Sequence, residues 1–150
     1  MAFEKQLDIM CAGAFSVSND SDLKWVYFLD GLKDGDNNIA ALIRCNDMLR
    51  QTFADSEHYQ NYSVIMKNEL IFRKSGMVVG DKFFYDNYCT YQNTDFETWR
   101  KQSFESNTWQ LFPLEEIDTG ERTFQAMTFS YPVRNYIQQE PEANLSLIHI

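Results

Sequence analysis

The chain has 150 residues, 44% of them hydrophobic and 15% aromatic, which suits one domain with a packed core and excludes a disordered tail. Thirteen basic residues stand against 22 acidic ones, for a net charge of −9. Such a surface repels phosphate backbones, and no Lys/Arg cluster exceeds two neighbours, which excludes nucleic-acid binding by this segment.

From the N-terminus, Phe3, Leu7, Met10, Ala14 and Val17 recur at helical spacing and predict an amphipathic helix over 2–17, its stripe widened by Cys11 and Phe15. The same spacing suits a helix-pairing seam, so a homodimer through this helix is one expectation. Ser18-Asn19-Asp20-Ser21-Asp22 is a run of capping residues that breaks and restarts the chain. A short apolar helix over 23–32 follows, closed by a loop at 34–38. Ile39, Leu42, Ile43, Met48, Leu49 and Phe53 mark a third helix, capped by Asn37 or Asn38.

The period then switches to two. Residues 59–66 read as a strand, with Tyr62, Val64 and Met66 on one face and Ser63 and Ile65 on the other. Lys67-Asn68 is a two-residue turn into a return strand over 69–74, and Ser75-Gly76 leads to a short strand at 77–79. The stretch 81–91 is rich in aromatics. Thr94 as N-cap and Glu97 as its reciprocal partner open a helix through Phe104 that carries Trp99. Residues 109–112 and 124–133 read as antiparallel strands around a turn region at 115–122, and 134–144 as loop. Helices first and strands afterwards define an α+β chain, not βαβ alternation.

The chemistry-bearing residues are sparse. His58 stands alone outside the last six residues, Cys11, Cys45 and Cys89 are far apart, and no phosphate loop or nucleophile elbow is present. Asp34-Gly35-Asp36-Asn37-Asn38 opens like a calcium loop but has Ile39 in place of the required glycine and Cys45 in place of the closing glutamate. Glu115 and Glu116 are adjacent, point to opposite faces of an extended segment, and read as an exposed acidic turn. The expectation is a protein without catalytic residues, metal or cofactor. Aromatics concentrate in the last part of the chain, and most of them should be core. Tyr88, Trp99, Trp109 and Tyr131, with flat faces and polar tips, are the candidates for binding a small organic ligand.

The final residues Leu145-Ser146-Leu147-Ile148-His149-Ile150 alternate acceptably for an apolar C-terminal strand, but they also match the codons CTG TCT CTT ATA CAC ATC, which resemble a transposase end sequence used in sequencing libraries. The expectation is one domain over 1–144 followed by an artefactual tail at 145–150. A sheet interrupted there should leave the strand near 124–133 with an unpaired edge, prone to association.

Three segments carry a resemblance to a known family. They are the opening Phe3-Glu4-Lys5-Gln6-Leu7-Asp8-Ile9 with its capping run, the 38–53 helix leading into Tyr62-Ser63-Val64-Ile65-Met66, and Lys82-Phe83-Phe84-Tyr85-Asp86-Asn87-Tyr88 followed by Phe96-Glu97-Thr98-Trp99. Together they resemble the extracellular Cache-type sensor domain, with a PAS-like antiparallel sheet, of membrane-anchored AraC-type transcriptional regulators and histidine kinases of Gram-positive bacteria. The resemblance implies an α+β fold with N-terminal helices, a membrane-proximal first helix, a small-molecule ligand, and a place on the outer side of the cell membrane. The sheet would be incomplete at the C-terminus, and flanking spans and an output domain would lie outside the chain. The family's amino-acid-binding motif is not recognisable, so no ligand residue carries over. The alternative is a soluble module that recognises a protein or glycan through an exposed aromatic surface.

Overall fold

Helix α1 (Ala2–Ser18) turns Met10, Ala14 and Val17 into the core, as the four-and-three spacing requires. Phe15 is 64% exposed, so the apolar stripe is narrower than expected: one residue beyond Ala14 it is rotated by about 100°. The helix ends where the Ser18 and Asn19 side chains donate back to the Phe15 carbonyl, and Asp20 Oδ1 accepts the Leu23 amide at 3.0 Å. The computed structural model describes residues 2–20, 23, 35–53, 61–105, 108–134 and 141–149; the helix expected over 23–32 (apart from Leu23) and His58 lie outside the described residues. Helix α2 (Gly35–Phe53) starts earlier than expected and takes in residues 35–38, read from sequence as a loop. The first turn of a helix leaves its amides without intrahelical acceptors, so short polar residues fit there as well as in a loop. Ala41, Leu42, Cys45, Leu49 and Phe53 are its buried positions.

The sheet has seven antiparallel strands: β1 (Asn61–Met66), β2 (Leu70–Arg73), β3 (Gly76–Val79), β4 (Thr90–Tyr91), β5 (Gln110–Asp118), β6 (Thr123–Arg134) and β7 (Pro141–His149), in the order β3-β2-β1-β7-β6-β5-β4. The first hairpin loop has three residues, not two. Glu69 adopts φ 73° and Asn68 Oδ1 accepts the Leu70 amide, which holds Glu69 out of the ladder. Between β5 and β6, Gly120 has φ 85°, and a side chain there would run into the Asn87 carbonyl.

Strand β7 is the main departure from the sequence reading. Residues 134–144 were expected as loop and 145–150 as a tail, yet Pro141–His149 lies in the middle of the sheet. Leu147 is registered against Tyr62 of β1 on one side and Phe129 of β6 on the other. The expected unpaired edge at 124–133 is therefore absent, since β6 is paired by β5 and β7; the edges are β3 and β4. The physical reason is the period: Ala143, Leu145 and Leu147 alternate with Asn144 and Ser146, and Pro141 stands at the first strand position, where its missing N–H is tolerated. The codon match of the last six residues is independent of their conformation.

The two faces of the sheet are covered separately. Tyr62, Val64, Met66, Leu70, Phe72, Phe129, Leu145 and Leu147 pack with α1 and α2. Ile65, Ile71, Ile117 and Ala126 pack with α3 (Asp81–Tyr88) and α4 (Phe96–Glu105). Asp81, buried in the first turn of α3, forms an ion pair with Arg100 of α4 and ties the two helices together. The N-cap of α4 is Asp95, not Thr94: Asp95 Oδ1 accepts the Thr98 amide at 2.8 Å, while the Thr94 hydroxyl is engaged by Glu115. The fold is α+β with an N-terminal helical part. No helix among the described residues is long and apolar enough to cross a membrane.

Leu147 is fully buried between β1 and β6, so Leu147→Ala is expected to lower stability by about 2–5 kcal/mol in urea denaturation. Removing residues 145–150 should abolish the cooperative transition altogether. The hydrogen bonds from Thr98 hold the Asp95 carboxyl below its ordinary value of 3.8. A depressed carboxyl stabilises the fold above its unfolded pKa and loses that contribution as pH falls through the folded value. The melting-temperature gap between the parent and Asp95→Ala should therefore be present at neutral pH and close as pH drops below the usual aspartate range.

Candidate ligand-binding site

On the face of β6 and β7 turned toward α4, four side chains among the described residues are polar and buried: Thr128, Ser130, Asn144 and Ser146. Burying hydroxyls and amides between a sheet and a helix is costly unless they are hydrogen-bonded. Asn144 Nδ2 donates to Ser130 Oγ at 2.8 Å, and Tyr91 Oη lies 3.0 Å from Thr128 Oγ1. Burial pushes the Tyr91 phenol well above its ordinary value, so it remains a neutral donor beside Ser146.

Helix α4 does not close down on this polar floor. A cavity of about 270 Å³ remains, just below the usual ~300–1,000 Å³ range of ligand pockets. Trp99, Gln102 and Ser103 line it from α4, and Phe112, Pro113 and Leu114 line it from β5, where the ladder shifts register between Phe112 and Glu115. Asn93, Thr94 and Glu115 complete it. The Glu115 carboxylate is fixed at both oxygens: Oε1 accepts the Asn93 amide at 3.1 Å and Oε2 the Thr94 hydroxyl at 3.1 Å. It is the one charged group among the described residues lining the cavity. Groups of three or more potential metal ligands are absent among the described residues.

Of the four residues expected from sequence, Trp99 alone lines this cavity. Tyr88 is on the same side of the sheet, but its ring lies under the Arg73 guanidinium at 3.9 Å, and it borders a separate groove with Lys74 and Arg122. Trp109 and Tyr131 belong to the opposite face. Trp109 stacks on Phe129 with centroids 5.7 Å apart, and Tyr131 packs against the core beneath α1 and α2. The structure does not bring the four together. Phe84, Tyr85, Phe96 and Trp99 pack ring against ring, with Tyr85 also stacked on Tyr91, so the aromatic concentration is mainly core.

Sequence reasoning missed Thr128, Ser130, Asn144, Ser146 and Glu115. A signal for the first two was present: Thr128-Phe129-Ser130-Tyr131 alternates, and its polar side faces the cavity. Glu115, read as part of an exposed acidic turn, is half-buried on β5 instead. No family model matches the chain, and no curated protein matches it.

Burial pushes the Cys89 thiol up to about 12, so it should resist alkylation. Cys11 is half-buried and its thiol is raised by burial and the nearby Asp8 charge. Timed iodoacetamide labelling at pH 8 should modify Cys11 first and Cys89 only after unfolding. Early labelling of Cys89 would contradict the packing described.

Proposed function

We propose that the chain is a ligand-sensing domain of a membrane-anchored signalling protein, an AraC-type transcriptional regulator or a histidine kinase, and that it works on the outer side of the membrane. The observation that carries this reading is the cavity between α4 and the centre of the sheet, floored by buried polar side chains and bordered by Trp99. A partly open space of this size, apolar on its walls and polar on its floor, suits a small hydrogen-bonding molecule. A ligand there would touch α4 and the two central strands at once. Its different affinity for two arrangements of those elements would shift their balance and pass the signal on. The competing reading, a module that binds proteins or glycans through exposed aromatics, is less well supported because Tyr85, Tyr91 and Trp99 are buried.

Two measurements test the proposal. Small polar probes should produce a saturable change in tryptophan fluorescence and raise the melting temperature. Thr128→Val and Ser130→Ala should each weaken that binding at least tenfold in proteins that still melt cooperatively. The complete coding sequence should also contain a membrane span before Phe3 and a DNA-binding or kinase domain after Asn144. A gene with neither would overturn the signalling assignment.

A further inference from the structure

Resting on the sensing reading, we infer that the cavity selects its ligand by charge: it takes a small organic amine, with the ammonium on Glu115 and the uncharged body against Trp99 and the polar floor. Glu115 is the one charged group among the described lining residues, and no Lys, Arg or His stands among them. A carboxylate or phosphate ligand would meet a fixed like charge with no cation to offset it, in surroundings less screened than water. An amine meets the opposite situation. The Glu115 oxygens are already oriented by the Asn93 amide and the Thr94 hydroxyl, so little ordering is left for the ligand to impose. A carboxylate oxygen that accepts one hydrogen bond retains capacity for another, which an ammonium can fill.

Three further features point the same way. Trp99 borders the cavity and offers an apolar surface to the ligand's uncharged body. Thr128, Ser130, Asn144 and Ser146 both donate and accept, so they suit a neutral body bearing hydroxyl or amide groups and supply no formal charge of their own. The chain's net charge of −9 favours cations over anions at long range.

Matched probes test the charge selection in the full chain. One series is tyramine, tyrosol and 4-hydroxyphenylacetate; the other is 4-aminobutanol, 1,4-butanediol and 4-hydroxybutyrate. Binding is read by tryptophan fluorescence and by thermal shift. The amine of at least one series should bind at least tenfold more tightly than its alcohol, and the carboxylates should not bind. Glu115→Gln retains a carbonyl acceptor for the Asn93 amide and places an NH2 that can donate to the Thr94 hydroxyl oxygen. It should reduce amine binding to the level of the alcohol. If Glu115→Gln melts early, Thr94→Val provides a second variant: it frees one Glu115 oxygen from its positioning bond and should weaken the amine more than the alcohol. Alcohols or carboxylates binding as tightly as amines, or an amine preference that survives Glu115→Gln, would overturn the inference and leave the sensing proposal standing. No binding by any probe of either series would remove both.

Discussion

The structure depends on one strand lying between two others. β7 is flanked by β1 and β6, and through it the first hairpin and the last two long strands become one sheet. A strand has a period of two, so a single backbone placement decides both faces together. In the observed register Ala143, Leu145 and Leu147 enter the core beneath α1 and α2, and Asn144 and Ser146 enter the space beneath α4. A slip by one residue would put an amide and a hydroxyl into the apolar core and two leucines into the polar cavity. Register, core and cavity are thus three consequences of the same pairing.

The two covers of the sheet have different chemistry. α1 and α2 meet a face of large aliphatic and aromatic side chains with few polar atoms. α3 and α4 meet a face that is apolar at Ile65, Ile71, Ala126 and Ile117 and polar along β6 and β7. The aromatic cluster of Phe84, Tyr85, Phe96 and Trp99 fixes α3 against α4, helped by the Asp81–Arg100 ion pair. Those rings satisfy the apolar part of the face. Over Thr128, Ser130, Asn144 and Ser146 no comparably apolar side chain could be seated without stripping polar groups of water, and there the helix stands off. The cavity follows from this mismatch between an aromatic cover and a partly polar floor.

Local periodicity was legible wherever a single face decided the outcome. The spacing of Met10, Ala14 and Val17 placed α1, the alternation of Tyr62 to Met66 placed β1 and both its faces, and the capping run ended in Asp20 accepting the Leu23 amide. Choices between adjacent equivalents were not legible. Thr94 and Asp95 are both able caps, and what separated them was Glu115, a residue 21 positions away from Thr94 that engages its hydroxyl. The four candidate ligand residues were picked for side-chain chemistry, without regard to which face of the sheet each would occupy; Tyr131 sits at odd parity on β6 with Phe129 and Val133, and so faces the helical core. β7 was passed over because its last residues were set aside for their codons and its first ones are polar, although the alternation through Leu147 was visible.

The position of Glu115 shows how one irregularity creates a site. Phe112 is paired with Thr128 and Glu115 with Ala126, so three steps along β5 correspond to two along β6. In an unbroken strand Phe112 and Leu114 would share a face and Glu115 would point the other way. The extra residue inverts that parity, so that Phe112 and Glu115 both reach the cavity. Pro113 lies inside the shift, where a residue without an N–H is best accommodated. Adjacent Glu115 and Glu116 do occupy opposite faces, as extended geometry demands, but alternation alone cannot say which of them turns inward. The bulge decides it, and with it whether the space under α4 is neutral or carries a charge.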